Sequence, residues 1–444
     1  MNTSQQKVQL EQLKQAVTKA LDYAKQMGAE QAEVAISRQQ GLSVATRMCE
    51  IETVEFNQDG ALGISVYKQG CKGNSSTADL SDEAIKQSVK AAIEIANYTQ
   101  ADECNGLADA ELMVAQAEDL DLFHPHQLDA AQLEKMAIAA EKAALSHGIE
   151  MSDGGNASGH TGTKVYGNTH GVLEGYSSSR YGLSCVAIAK DQQGMQRDYD
   201  YTVSRKFEDL LDPEQIGLIA AQKVKSRLNA RKLKTQSLPV IFDADVATGL
   251  LGHLVSAISG TSIYRKSSFL MDAVGTQIFP QWFNISERPH LKMGLASAAF
   301  DSEGVATKDR EIIEAGILSQ YLLSAYSARK LGLQSTGHAG GIYNWLIANS
   351  QINKSALLKK MGTGILVTEV MGQGVNSVTG DYSRGAAGFY VENGEILYPV
   401  EEFTIAANLK DMYRNMVAIS DDIDHRSTIK TGSILLENMK IAGN

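Results

Sequence analysis

The chain has 444 residues, and its 41 basic and 52 acidic side chains give a formal net charge of −11. Apolar residues make up 43% of the chain, so it can bury at least one sizeable core, and global disorder is excluded. The acidic balance gives no general attraction for phosphate backbones and excludes a nucleic-acid binder that works through bulk charge. Four Cys over this length, with no C-x-x-C, do not make a disulfide framework. At roughly 150 residues per domain, the length predicts two or three domains.

The first half of the sequence combines helical periodicity with short alternating segments. A helix is expected over about residues 5–27, and Ser81 caps another that runs to about Tyr98. Two further helices are expected at about 127–147 and from Pro213 to about Arg231. Alternating residues predict an antiparallel meander whose first strands are 33–37, 42–47, 53–57 and 62–68. Turns are expected at 39–41, 49–50, 59–60, 153–156 and Gln193-Gly194.

The second half is rich in Gly and in short β-type segments. A strand at 240–242 is followed by a helix that Asp243 or Asp245 caps, and a helical insertion is expected at 319–331. Together these patterns predict an α+β fold. Residues 1–234 form an N-terminal α/β domain with antiparallel strands and helices, and residues 235–444 form a C-terminal β-rich, antiparallel, barrel-like domain with a few helices.

No targeting or membrane-spanning segment is predicted. The N-terminal residues MNTSQQKVQLEQLKQAV are polar and amphipathic, without the apolar core of a signal peptide. The longest apolar stretches, such as 246–258, are interrupted by Thr, Gly, His and Ser and fall short of a membrane span. The sequence therefore predicts a cytoplasmic protein of a reducing compartment that contacts neither a membrane nor nucleic acid directly.

The sequence gives little support to a metal site. None of the nine His is followed by Glu, so the helical His-Glu pair that sets a ligand beside a general base is absent. All four Cys lie in the first half: Cys49, Cys71, Cys104 and Cys185. The weak candidates for ligands are His253, His338 and His425. His253 lies on the apolar helix after residue 243, where a core or interface histidine is the favoured interpretation.

The densest unusual segment lies between residues 367 and 391. Its centre combines two glycines with polar and charged residues: Thr379, Gly380, Asp381, Tyr382, Ser383, Arg384 and Gly385. Glycines let a backbone approach another chain closely, and Arg384 offers a fixed cation. The segment is interpreted either as a groove for a peptide backbone or its carboxylate, or as a hairpin in which Asp381 and Arg384 cap backbone groups.

Long strings in both halves resemble the PmbA/TldE branch of the TldD/PmbA family, over nearly the whole chain. They are SDGGNASG at 152–159, AISGTSIYRKSSF at 257–269, VTGDYSRGAAGF at 378–389 and PVEEFTIAANL at 399–409. The resemblance implies a bacterial cytoplasmic proteolytic system of two related subunits that admits only unfolded polypeptide. Family members are associated with microcin maturation, antitoxin degradation and modulation of DNA gyrase. In this family the TldD-type subunit binds a catalytic metal, commonly zinc, through a His-Glu-x-x-x-His helix and a Cys.

Carried over residue by residue, the resemblance implies no catalytic residue and no cofactor in this chain. The corresponding helix, 248–258, has no Glu, and five positions before and after His253 stand Thr248 and Ile258. The chain is therefore expected to be the non-catalytic partner of a TldD-type subunit that holds the zinc. The segment from Thr379 to Gly385 is the candidate for the substrate groove or the subunit contact. A further set either buries against the partner or packs in the core: Ile263, Tyr264, Phe269 and Leu270.

Two alternatives remain open at this point. The first is a stand-alone, homodimeric metallopeptidase with unconventional ligands drawn from His253, His338 and His425. The second is a non-proteolytic interaction protein that regulates DNA gyrase or a toxin system.

Overall fold

The computed structural model describes residues 3–192 and 194–443 and has the α+β fold that the sequence predicts. The N-terminal half is built on a six-stranded antiparallel sheet with the strand order β3-β2-β1-β4-β5-β6. Its strands are β1 (Gln31–Arg47), β2 (Glu50–Lys68), β3 (Cys71–Thr77), β4 (Met151–Asn168), β5 (Leu173–Lys190) and β6 (Met195–Ser204). No described helix is both long enough and apolar enough to cross a membrane.

The four short strands expected between residues 33 and 68 are in fact two long ones. The residues taken for turns at 39–41 and 59–60 lie inside the ladder, where Gln39 pairs with Asp59. The turn expected at 49–50 is confirmed, because the two strands are joined by a turn at Met48 and Cys49. Gly41 serves close packing instead of a turn, because a Cβ there would lie 2.0 Å from Nδ1 of His160. The expected turn at 153–156 likewise lies inside β4, next to a bulge. The expected turn at Gln193-Gly194 includes Gln193, which lies outside the described residues.

Four helices cover one face of this sheet: α1 (Thr3–Gln26), α2 (Asp82–Tyr98), α3 (Ala130–Ser146) and α4 (Pro213–Ser226). The hydroxyl of Ser81 caps α2 by accepting from the amide of Ala84, as the sequence predicts. The helices α1 and α2 bury one end of the sheet, whereas α3 and α4 bury the other. The last helix ends at Ser226, five residues before the expected end.

The C-terminal half contains a closed barrel of five strands: β7 (Gln236–Phe242), β12 (Gly364–Met371), β13 (Asp381–Glu392), β14 (Glu395–Asn408) and β17 (Ile434–Ala442). The strands β7 and β12 are parallel, and pairing of β14 with β17 closes the barrel. The strand β15 (Met416–Ile419) extends it beyond β17. A second sheet contains β8 (Ile285–Glu287), β9 (Arg310–Glu314), β10 (Ile317–Leu318), β11 (Trp345–Ile347) and β16 (Ile429–Lys430).

The helices of this half are α5 (Ala244–Ala257), α6 (Gly260–Tyr264), α7 (Ala325–Lys330), α8 (Lys354–Met361) and α9 (Leu409–Arg414). The insertion expected at 319–331 is helical only in α7, because Leu322 pairs its backbone with Ile258 and Gly260. Asp243 stands at the N-cap position of α5, directly after β7, but its side chain forms no capping hydrogen bond with the described part of the helix. The apolar side of α5 packs into the core cluster that includes the barrel residues Phe242 and Val367.

The residues that follow α5 belong mainly to this core. Ile263, Phe269 and Leu270 are buried in it, so for these three the interpretation as a partner contact is wrong. They continue the apolar surface around α5, which explains why they are apolar without any second chain. Tyr264 is half-buried and packs edge-on against Tyr326, with ring centroids 5.8 Å apart.

The face of the N-terminal sheet that carries no helix contacts the C-terminal half. Tyr166 and Tyr176 pack there against Phe300, with ring centroids 6.4 and 5.9 Å apart. Beside them lies Glu303, whose carboxylate accepts from the amide of Ala325 at 2.7 Å. Burial raises the pKa of Glu303 from 4.5 to about 7, and the nearby charge of Glu33 acts in the same direction. The contact between the halves therefore contains an acid that titrates near neutrality.

Close packing of α3 on α4 depends on Gly217, because a Cβ there would lie 1.9 Å from the carbonyl oxygen of Ala140. We expect Gly217→Ala to push the helices apart and to lower the free energy of unfolding by about 1–3 kcal/mol in chemical denaturation. The matched control is Gly252→Ala in α5, where a Cβ meets open space. The control is expected to be neutral or stabilising by up to about 1 kcal/mol. Equal effects of the two substitutions would contradict this account.

The raised pKa of Glu303 predicts a pH dependence of stability. Between pH 4.5 and about 7 the folded chain binds more protons at this site than the unfolded chain, so the free energy of unfolding falls as pH rises. We expect Glu303→Gln, which keeps an acceptor for the amide of Ala325, to reduce this decrease of the free energy of unfolding with pH. Chemical denaturation at a series of pH values measures it. The control is Glu314→Gln, because Glu314 is an exposed residue at the end of β9. An unchanged slope in Glu303→Gln would show that this carboxyl does not titrate in that window.

Candidate functional site

A cavity of about 1160 Å³ lies between the two halves of the molecule, beside the first half of α5. On one side its wall comes from β6 and α4, and on the other from α5 and the strands β12, β13 and β14. The wall mixes apolar side chains such as Val246 and Phe389 with charged ones such as Lys354 and Glu401. A smaller cavity of about 310 Å³ adjoins α5 as well, and Asp245 and Thr248 line both.

A network of five charged side chains joins the two halves at these cavities, and we call it the charged joint. Its members are Asp200, Lys223, Asp245, Asp424 and Arg426. Lys223 of α4 lies 3.1 Å from Asp200 and 3.6 Å from Asp245 of α5. Arg426 contacts Asp245 at 2.6 Å, Asp424 at 2.8 Å and Asp200 at 3.3 Å. Each cation thus contacts carboxylates from both halves.

The guanidinium of Arg426 is held firmly in its charged form. It lies over the ring of Tyr201, 4.2 Å from the centroid, and donates to the carbonyl oxygen of Tyr201 at 3.1 Å. Burial opposes the charge, but hydrogen bonding to Asp424 and the charge of Asp245 outweigh it and raise the pKa of Arg426. The smaller cavity therefore contains a permanent cation of the protein itself.

A second pair of contacts continues the joint along the large cavity. Arg227 of α4 lies 3.3 Å from Asp198 of β6 and also contacts Glu369 of β12. Hydrogen bonding to Glu369 raises the pKa of Arg227 against the opposing effect of burial. This wall of the cavity is consequently fixed by ion pairs and not by apolar packing alone.

The helix α5 begins at the large cavity with Asp245 and Val246, which are followed by the small, uncharged residues Thr248 and Gly249. Thr248 and Gly249 line that cavity, and the hydroxyl of Thr248 donates to the carbonyl oxygen of Asp245 at 2.9 Å. His253 lies further along α5, with its ring centroid 5.8 Å from that of Tyr382. Burial lowers the pKa of His253, and the charge of Arg384 adds to this. Its buried Nε2 has no hydrogen-bond partner among the described residues, so the ring is a neutral imidazole at neutral pH.

The other two candidate histidines lie elsewhere. His338 is buried, with Nε2 2.9 Å from Glu287 and Nδ1 2.8 Å from Thr336, so both ring nitrogens are engaged. His425 is exposed, next to Asp424 in the chain. In residues 3–192 and 194–443 no group of three or more His, Cys, Asp and Glu side chains has an arrangement that suits a metal ion. The three histidines thus belong to different elements and do not form one ligand set within this part of the chain.

The segment from Thr379 to Gly385 leads into β13 and has internal hydrogen bonds of its own. The hydroxyl of Thr379 donates to one carboxylate oxygen of Asp381 at 2.6 Å, and the side-chain amide of Asn408 donates to the other at 3.1 Å. These two hydrogen bonds lower the pKa of Asp381. Gly380 adopts a φ of +84° and lies against Asn408 and Phe269, where a side chain would be strained. The segment thus forms a hairpin in which Asp381 accepts from side chains instead of backbone groups, whereas Arg384 donates to the backbone carbonyl oxygen of Met371 at 3.4 Å.

Both backbone edges of this segment are already paired. The residues from Asp381 to Arg384 pair with β14 on one side, and on the other Tyr382 bridges Val375 while the amide of Ser383 donates to Gly374. An added peptide strand has no free edge here. What remains available are side chains: those of Thr379, Asp381 and Ser383 are exposed, and Arg384 is half-exposed beside His253.

The structure therefore brings Tyr382, Arg384 and His253 together at the second half of α5.

The charged joint, at the first half of α5, was not predicted from the sequence. Its ion pairs join residues far apart, such as Asp200 and Arg426, separated by 226 positions. No local spacing pattern indicates such pairs. The one available signal was the cluster of charges around the start of α5 and near residue 425.

Comparisons with known proteins agree on the family. Models of PmbA/TldA metallopeptidases match the chain in three ranges, domain 1 over residues 32–96, the central domain over 123–228 and the C-terminal domain over 235–443. A "Metalloprotease PmbA homolog" of Haemophilus influenzae is 57% identical over 446 residues, covering 100% of this chain and 99% of the relative. The chain belongs to the PmbA/TldE branch of the PmbA/TldD metallopeptidase family, as its sequence strings indicated.

Solved structures agree with this fold. The crystal structure of a putative modulator of DNA gyrase from Bacteroides thetaiotaomicron has a TM-score of 0.91 at 27% identity, covering 97% of this chain and 99% of that one. TldE from Thermococcus kodakarensis has a TM-score of 0.82 at 21% identity, covering 96% of this chain and 100% of that one. At that identity the second similarity is one of fold.

Removal of the Arg426 guanidinium tests the charged joint. We expect Arg426→Met to leave Asp200, Asp245 and Asp424 without this partner and to lower the free energy of unfolding at neutral pH by about 2 kcal/mol or more. This deficit in the free energy of unfolding is expected to shrink at acid pH as Asp245 becomes protonated, because burial raises the pKa of this carboxyl. The exposed Arg414→Met serves as the control in the same denaturation assay. Similar losses in both variants would mean that the joint contributes no specific stability.

Proposed function

We propose that this chain is the non-catalytic subunit of a cytoplasmic two-subunit metallopeptidase that cleaves unfolded polypeptides. Its partner is a TldD-type paralogue that holds zinc on a His-Glu-x-x-x-His helix. This chain supplies part of the wall that encloses the substrate, with no catalytic residue and no cofactor of its own. The high identity to a relative named a metalloprotease PmbA homolog supports the peptidase class.

The observation that carries the proposal is the composition of α5 and of the space next to it. If His253 corresponds to the second His of the His-Glu-x-x-x-His motif, Thr248 occupies the position of the first His and Gly249 the position of the Glu. A threonine hydroxyl that donates to a helix carbonyl is a poor metal ligand, and glycine cannot act as a general base. The guanidinium of Arg426, 2.6 Å from Asp245, would also repel a divalent cation at this end of α5.

Contact with substrate is proposed through side chains. The large cavity offers apolar and charged walls, which suits peptides of varied sequence. Beside α5, Arg384 offers a half-exposed cation, which can bind the carboxylate or main-chain carbonyls of an extended peptide. The exposed hydroxyls of Thr379 and Ser383 lie in the same segment.

Reconstitution tests the proposal. The chain and the TldD-type paralogue of the same genome are purified separately and together, and zinc content and cleavage of unfolded casein are measured. We expect zinc to copurify with the paralogue, and the mixture to cleave casein at least about tenfold faster than either chain alone, because only the complex has both metal and enclosing wall. A control complex carries Gln in place of the motif Glu of the paralogue and should be inactive.

Two results would contradict the proposal in different ways. Stoichiometric zinc together with casein cleavage by this chain alone would support the stand-alone metallopeptidase. No gain in cleavage on mixing would favour a non-proteolytic interaction protein that regulates DNA gyrase or a toxin system; the Bacteroides structure is named a putative modulator of DNA gyrase.

A further inference from the structure

One edge of the N-terminal sheet is open over a long stretch. The strand β3 pairs only with residues from Leu62 to Lys68 of β2. Residues 50–61 pair with β1 on one side, and the described part of the chain provides no strand for the other side. These residues span roughly 40 Å at about 3.3 Å per residue. Such an edge presents a row of unpaired amide and carbonyl groups to a partner strand.

This edge has little of the usual protection against pairing. Folded proteins shield exposed edges with charged side chains (especially Lys), Pro, bulges or short strands. The stretch EIETVEFNQDGA contains neither Lys nor Pro, and its charged residues are all acidic. Its register with β1 has one bulge, near its start, where Glu52 is the extra residue of β2, and is regular from Thr53 to Ala61. The edge from Thr53 to Ala61 is therefore suited to being covered by another chain of complementary charge.

The two faces of the stretch differ in chemistry. Ile51, Val54 and Phe56 stand on the face that carries the helices, yet they are 49%, 50% and 68% exposed. The register sets three carboxylates on the opposite face: Glu50, Glu55 and Asp59. An incoming strand would meet apolar side chains on one face and negative charge on the other.

The charges argue against a second copy as the occupant. Antiparallel pairing of two copies centred on Glu55 would set the two Glu55 side chains opposite each other. Like charges directly opposite are destabilising, and in any register the joined edges would bring the four acids of each copy, Glu50, Glu52, Glu55 and Asp59, close to those of the other. The cation at the end of β1, Arg47, lies 3.7 Å from Glu52 and balances only one of the four acids. A complementary strand must come from a chain with Lys or Arg at alternate positions.

We propose that residues 50–61 of β2 are the docking edge for a different protein chain, which adds a strand with apolar residues on one face and basic residues on the other. Under the proposed function this occupant is the metal-bearing subunit, and to that extent the inference rests on that function. Main-chain hydrogen bonds join the strands, contact with Val54 and Phe56 removes apolar surface from water, and ion pairs to Glu55 fix the register.

Binding of the TldD-type paralogue to variants of this edge tests the inference. We expect Phe56→Ser and Glu55→Lys each to raise the dissociation constant by about tenfold or more, because both remove contacts at the centre of the edge. Glu55→Lys should also weaken the salt dependence of binding. Matched controls are Ile95→Ser and Glu11→Lys. Ile95 of α2 is 45% exposed, and Glu11 of α1 is exposed as well. The controls should stay within about twofold of the wild type, and thermal unfolding verifies that every variant is folded.

Hydrogen exchange separates the outcomes. The inference holds if the amides of residues 50–61 exchange more slowly in the active complex than in the free chain. If the complex forms and cleaves casein but these amides are unprotected and the variants bind normally, the docking edge is wrong while the proposed function stands. If no complex forms with the wild-type chain, both fail. If the chain alone dimerises in sedimentation with these amides protected, the occupant is a second copy and the inference is overturned.

Discussion

The two halves of the molecule meet at Asp245, a carboxylate at the start of α5 that two cations share. Lys223 reaches it from the N-terminal half, and Arg426 reaches it from within the C-terminal half. Arg426 in turn contacts Asp200, which is buried in the N-terminal half. Because each cation binds carboxylates of both halves, the relative position of the halves is tied to the position of α5. The cavities on either side of this contact take their shape from it.

This arrangement suits the proposed function, in which α5 carries no metal ligands. In the proposed function, the start of α5 no longer needs a metal ion because an internal guanidinium provides the positive charge near Asp245. The helix keeps its apolar contact with the barrel through residues such as Leu254. Under this proposal α5 carries no catalytic residue, and the surroundings of its first turn are held by ion pairs. A subunit that only shapes an enclosure requires this combination of a fixed wall and no chemistry.

Sequence patterns predicted the helices well where caps and apolar periodicity agree, as at Ser81 and Pro213. They failed inside the long hairpin of β1 and β2, where Gly41 and Gly60 suggested turns. There the hydrogen bonds between the strands outweigh the local turn preference, because the ladder continues through polar residues when a neighbouring strand is in register. The same long hairpin produces the open edge at residues 50–61, which four separate short strands would not have formed.

The sequence by itself determined the family, the α+β class and the absence of a His-Glu pair, because these depend only on which residues follow one another. It also marked Asp381 and Arg384 as unusual but left their roles open. Only the tertiary structure decided that the carboxylate of Asp381 accepts a hydrogen bond within its own hairpin and that Arg384 lies beside His253. The charged joint was likewise invisible, since Asp200 and Arg426 meet only when two separately built sheets pack together. Contacts between distant positions follow from the packing of whole elements, and no local spacing rule encodes them.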